Sequence, residues 1–130
     1  MSSFRLEKFA TYMTDFPTQF VTIPGDGKLS EVTGAEISGN HPAVIVSIAD
    51  DGQSAVVCPL TSALNARGGE RYKLAKKEWV RIQHKGHPSY ILTEQIRMVD
   101  RARFIKMESS LGEYDRQQLE NRIKFLFRIV

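Results

Sequence analysis

One cysteine, Cys58, is all the thiol chemistry that 130 residues contain. It excludes an internal disulfide framework and suits a reducing compartment. Three histidines, His41, His84 and His87, are the only other soft ligands, too few beside one thiol for a tetrahedral zinc site. No apolar run approaches the ~18 residues that cross a bilayer, and the opening Met1–Lys8 segment lacks the apolar centre of a secretion signal. Low-complexity tracts and internal repeats are missing too. The expectation is a cytoplasmic protein without membrane association, metal or other cofactor, in one domain spanning 1–130.

What is present is basic charge in one place. Net charge is only +3, but the segment from Arg67 to His87 carries Arg67, Arg71, Lys73, Lys76, Lys77, Arg81 and Lys85 against Glu70 and Glu78. That segment is net +5 and the rest of the chain −2. Concentrated cationic charge suits a polyanion, because each neutralised phosphate releases counterions. A solvated hairpin arm has the same composition.

Short β-branched runs separated by turn residues dominate the chain. Ala43–Ile48 and Ser54–Leu60 flank Asp50-Asp51-Gly52 and predict an antiparallel hairpin, with Pro59 tolerable at an edge or bulge. Phe20–Ile23 and Leu29–Val32 flank Pro24-Gly25-Asp26-Gly27 and predict another. Gly34–Pro42 reads as a loop. Tyr72–Leu74, Trp79–Gln83 and a strand from Tyr90 through Val99 are further extended candidates, and Asp100 caps a short turn before Phe104. Phe4, Phe9, Tyr12 and Met13 suggest a short amphipathic helix over 4–13. Leu119, Ile123, Leu126 and Phe127, with Tyr114 ahead of them, recur at helical spacing near the end. The pattern lacks βαβ alternation and implies a mostly β (α+β) fold, a small SH3-like barrel with a C-terminal helix. Its thin core favours dimerisation.

Three segments, in order, resemble the signature blocks of the MazF/PemK toxins, whose fold is shared by CcdB and Kid. Gly34-Ala35-Glu36-Ile37-Ser38-Gly39-Asn40-His41-Pro42 with the strand after it is similar to G-x-E-x-x-G-x-R-P. Val56–Ser62 resembles the strand ending in the family's active-site Thr. Ser89–Arg103 resembles S-x-I-L-x-E-Q-I-R-x-V-D-x-x-R and is the most specific block. The likeness runs from Gly34 onward, and residues 1–33 are less typical.

The resemblance implies the toxin of a toxin–antitoxin pair, a homodimeric endoribonuclease that cuts single-stranded RNA without metal. The ribose 2′-hydroxyl would attack phosphorus, leaving a 2′,3′-cyclic phosphate and a 5′-hydroxyl. It also implies a cognate antitoxin, acidic and disordered until bound. One departure stands out: the family's catalytic Arg before Pro is His41 here. A relative, the plasmid toxin Kid, uses an Arg and an Asp at positions matching Leu92 and Glu94, so only the carboxylate is kept.

The catalytic candidates are therefore His41 for proton transfer, Thr61 as a phosphate donor, and Glu36 or Glu94 as partner base. Ser62, Arg97, Lys73, Lys76, Lys77, Arg81 and Lys85 are candidate RNA contacts. Each has a bland alternative: His41 as a turn residue, Thr61 and Ser62 as turn caps, the carboxylates as solvated or strand-paired groups. His84 and His87 flank Lys85 in a Gly/Pro-bounded loop that suits an RNA contact or a second catalytic histidine. Tyr72, Trp79 and Tyr90 either stack on a base or fill the core. Cys58 reads as an inert core thiol. Two other functions share the fold: a CcdB-like gyrase poison, against which the missing Trp-Gly-Ile ending speaks, and a non-catalytic binder of RNA or a partner.

Overall fold

The computed structural model describes residues 5–16, 20–22, 29–31, 39–72 and 79–127. Its strands are β1 (Ala10–Phe16), β2 (Phe20–Thr22), β3 (Leu29–Glu31), β4 (Gly39–Ile48), β5 (Ser54–Ser62), β6 (Val80–His84), β7 (His87–Ile91), β8 (Arg97–Asp100) and β9 (Phe104–Ser110). One helix, α1 (Glu113–Phe127), follows. The main sheet runs β6-β7-β5-β4-β1-β9, β8 also pairs with β5, and β2 and β3 form a separate hairpin. The fold is mostly β, a curled antiparallel half-barrel with one C-terminal helix.

Side-chain alternation along β4 and β5 explains the two-sided core. Ala43, Ile45, Ala55 and Val57 face one cluster with Tyr12, Phe16 and Phe104. Val44, Cys58 and Leu60 face the other, which Leu119 of α1 closes. The fully buried Leu119 contributes about 1.5–3 kcal/mol by removal from water. Ile123 packs beside it, whereas Tyr114, Phe125 and Phe127 of the same helix remain exposed. Burial pushes the Cys58 thiol up to about 12, which keeps it protonated and unreactive.

Residues 10–13 are not helical. They belong to β1, which is laddered on both sides, to β4 and to β9. Two open strand edges offer Ala10–Phe16 more than an isolated helical turn does, and Tyr12 and Phe16 share a face as period 2 requires. The expected loop before Pro42 also shortens, because Gly39 and Asn40 extend β4 to pair with Phe16 and Asp15.

The expected continuous strand from Tyr90 to Val99 is broken by a 3₁₀ turn at Thr93–Gln95. The break matches a change of partner along β5, whose Leu60–Ser62 pairs with β7 and whose Ser54–Val57 pairs with β8. Pro59 lies in the gap between those two ladders, where its missing N–H costs no hydrogen bond.

Lys85 and Gly86, with φ of 54° and 78°, form a two-residue turn of the primed kind that suits twisted hairpins. It sets His84 directly opposite His87. Curling then brings the two ends of the sheet together. From β6, the His84 Nε2 lies 3.1 Å from Thr11 Oγ1 of β1. The Lys85 ammonium donates to Glu108 of β9 at 3.2 Å. Side chains, rather than a backbone ladder, fasten these edges.

Candidate active site

Ladder register assembles a cleft from four strands. Pairing of β5 with β7 puts Ser62 opposite Ser89, and the hairpin turn puts His87 one step beyond. His41 arrives on β4, opposite Thr14 of β1. Arg71 comes from the segment after β5, held by its N–H donating to Ala63 O at 2.7 Å and by a bridge between Leu64 and Glu70. The resulting concavity, about 310 Å³, is lined by His41, Thr61, Ser62, Arg71, His84 and His87 with neighbouring Pro42, Leu60 and Ser89. No carboxylate lines it among the described residues.

Polar contacts orient these groups. The Arg71 guanidinium donates to Thr61 Oγ1 at 3.0 Å, while its plane also lies 5.3 Å from the Tyr72 ring centre. Ser62 Oγ sits 2.7 Å from His87 Nε2 and 2.9 Å from the Leu64 carbonyl. Arg71 and His87 are exposed and Thr61 is buried, so a guanidinium and an imidazole stand at the mouth above a fixed hydroxyl. Such a cleft supplies hydrogen-bond donors, one permanent positive charge and several imidazoles, an arrangement that fits an anion.

The other candidates fall elsewhere. Glu94, in the 3₁₀ turn, accepts from the Trp79 indole at 2.6 Å and is not among the cleft-lining residues. Arg97 lies over the Phe16 ring at 4.4 Å. Arg81 pairs with Glu70 at 2.6 Å on the surface, and Lys85 is engaged with Glu108. Tyr72, Trp79 and Tyr90 pack edge-on or tilted, with ring centres 4.9–6.0 Å apart. Glu36, Lys73, Lys76 and Lys77 lie outside the described residues. Sequence reasoning passed over Arg71 as one charge among seven. No three His, Cys, Asp or Glu among the described residues cluster as a metal site requires.

Fold and cleft together define a small curled half-barrel protein with a cleft lined by hydrogen-bond donors and imidazoles. The chain belongs to the PemK-like, MazF-like toxin family of type II toxin–antitoxin systems, whose family pattern it matches over residues 27–127. No curated protein matches the sequence. Solved structures agree on the fold. MazF from Deinococcus radiodurans superposes with a TM-score of 0.70 at 18% identity, covering 98% of this chain and 100% of that one. The Mycobacterium tuberculosis toxin MazF-mt6 gives 0.61 at 9% identity, over 93% of this chain and 98% of its own. A mycobacterial endoribonuclease in complex with its cognate antitoxin gives 0.62 at 12% identity, over 95% of both chains.

Proposed function

We propose that this toxin is an endoribonuclease that cuts single-stranded RNA by attack of the ribose 2′-hydroxyl, without a metal cofactor. The observation that carries the proposal is the convergence of His41, Thr61, Ser62 and Arg71 in one cleft without a lining carboxylate among the described residues. Attack of the 2′-oxygen on phosphorus places extra negative charge on the non-bridging oxygens. Arg71 and the Thr61 hydroxyl it touches are placed to hold that charge. His41 serves the leaving 5′-oxygen as proton donor, a role suited to an imidazole near neutral pH. Bond formation between O2′ and phosphorus and rupture of the bond to O5′ give a 2′,3′-cyclic phosphate and a 5′-hydroxyl. DNA lacks the nucleophile and is spared.

Arg71 also makes sense of the departure at position 41. Where family resemblance leads one to expect an Arg, the chain has an imidazole, and a guanidinium reaches the same cleft from another segment. Charge and proton transfer are thereby divided between two residues. The same reading makes the chain a cytoplasmic homodimer, with exposed Met98, Tyr114 and Phe125 as surface for a second copy, restrained by an acidic antitoxin segment.

The test is incubation of purified protein with a long single-stranded transcript, its duplex and the matching DNA, in excess EDTA. Cleavage of the single strand alone, with 5′-hydroxyl ends, is the expected result. Binding without cleavage would favour the non-catalytic alternative, and a strict need for added Mg²⁺ would overturn the mechanism.

A further inference from the structure

The most unusual polar group outside the residues already assigned is Glu108. Its side chain is 5% exposed, and its Oε1 is buried with no hydrogen-bond donor. A buried carboxylate oxygen without a donor is costly, because the hydration it lost on folding is not replaced. Oε1 lies 3.8 Å from His84 Nε2, a ring that is itself 9% exposed and lines the cleft. Oε2 takes the Lys85 ammonium at 3.2 Å. A buried acid therefore stands beside a buried imidazole whose residue lines the proposed substrate site.

We propose that His84 is the general base of the cleft and that Glu108 is its positioning residue. This role rests on the ribonuclease reading above and completes it, since His41 there supplies the acid. With its proton on Nε2, toward Thr11 Oγ1 and Glu108, His84 keeps the lone pair of Nδ1 as acceptor. The substrate's 2′-hydroxyl gives its proton to Nδ1 as O2′ bonds to phosphorus. The bond from phosphorus to O5′ breaks, and O5′ takes a proton from His41. The imidazolium formed at His84 then faces Glu108, so the carboxylate is least satisfied before the transfer and best paired after it.

The surroundings set the resting state. Burial, with Lys85 on the adjoining turn and His87 across the hairpin, lowers the proton affinity of His84, while Glu108 from β9 raises it. Thr11 from β1 contributes no charge, and Arg71 and His41 line the same cleft. Burial is the largest influence and the net direction is down from about 6.5, so the ring is neutral at pH 7 and able to accept a proton.

His84, Lys85 and Glu108 also fasten the sheet edges, so a loss of rate alone would not separate chemistry from structure. The pH profile does. Glu108→Gln keeps the shape and removes the charge that raises His84. The acid limb of kcat/KM should therefore move to lower pH. His84→Asn should cut the rate by roughly 10²–10⁴-fold with RNA binding retained. Wild-type protein that cuts no single-stranded RNA overturns the ribonuclease reading and this role together. Wild-type cleavage with an unmoved acid limb in Glu108→Gln, or with full activity in a folded His84→Asn, overturns this role alone. Should His84→Asn unfold, the limb measured on Glu108→Gln decides.

Discussion

Thr61 and Arg71 meet at 3.0 Å, guanidinium to hydroxyl, across a ten-residue excursion that the Leu64–Glu70 bridge folds back on itself. A phosphate entering the cleft would find both donors already placed. Arg71→Ala should lower kcat by about 10²–10³-fold, the usual loss for one charge-stabilising donor. Arg71→Lys should recover part of it, because an ammonium keeps the charge without the planar fork. Thr61→Val combined with Arg71→Ala should cost less than the two single losses multiplied together, since contacting residues act as a unit. Strict additivity in single-turnover rates would show that the pair does not work jointly.

His41 should behave differently from Arg71. If it carries a proton, His41→Ala loses about 10²–10⁴-fold in rate with little change in RNA affinity, measured by filter binding beside kinetics. His41→Arg should lose cleavage as His41→Ala does, because the cleft then gains charge and loses its acid. Wild-type cleavage in that variant would mean that position 41 needs only a cation.

The cationic segment offers a test that needs no catalysis. Removing the charges of Lys73, Lys76 and Lys77 should weaken RNA binding and reduce the slope of log K against log salt. Each lost phosphate contact with a single strand should reduce it by about 0.7. A slope equal to wild type would make this segment a solvated arm.

Assembly is checked by light scattering, which should give about twice the 14.7 kDa chain mass at micromolar concentration. Met98 is 63% exposed, Tyr114 75% and Phe125 70%, apolar side chains that pairing would cover. Aspartate in place of Tyr114 and Phe125 should shift the mass toward one copy if that surface forms the contact.

Local signals made part of this structure legible in advance. The hairpin around Asp50-Asp51-Gly52 and the helix after Gly112 announce themselves through turn chemistry and period, and both are present. Asp100 accepts from the Ala102 N–H at 2.8 Å, as its position before a short turn suggests. What was hidden depends on long-range pairing. Residues 10–13 follow a helical spacing only by count, and two vacant strand edges outweigh it. The strand expected from Tyr90 to Val99 breaks because β5 exchanges one partner for another, which no local pattern records. Arg71 in the cleft and Glu108 behind it carry no motif. Their contacts with Thr61 and His84 exist only because a loop folds back and a sheet curls.

The identity of the nucleophile tests the account most directly. Once a cleavage site is mapped on an oligoribonucleotide, one 2′-deoxy nucleotide is placed immediately 5′ of the scissile phosphate and the reaction is run in EDTA. The account predicts that cutting at that bond stops while the oligonucleotide still binds with near-native affinity. Continued cleavage at the deoxy position would contradict it, because the attacking oxygen would then have to come from water.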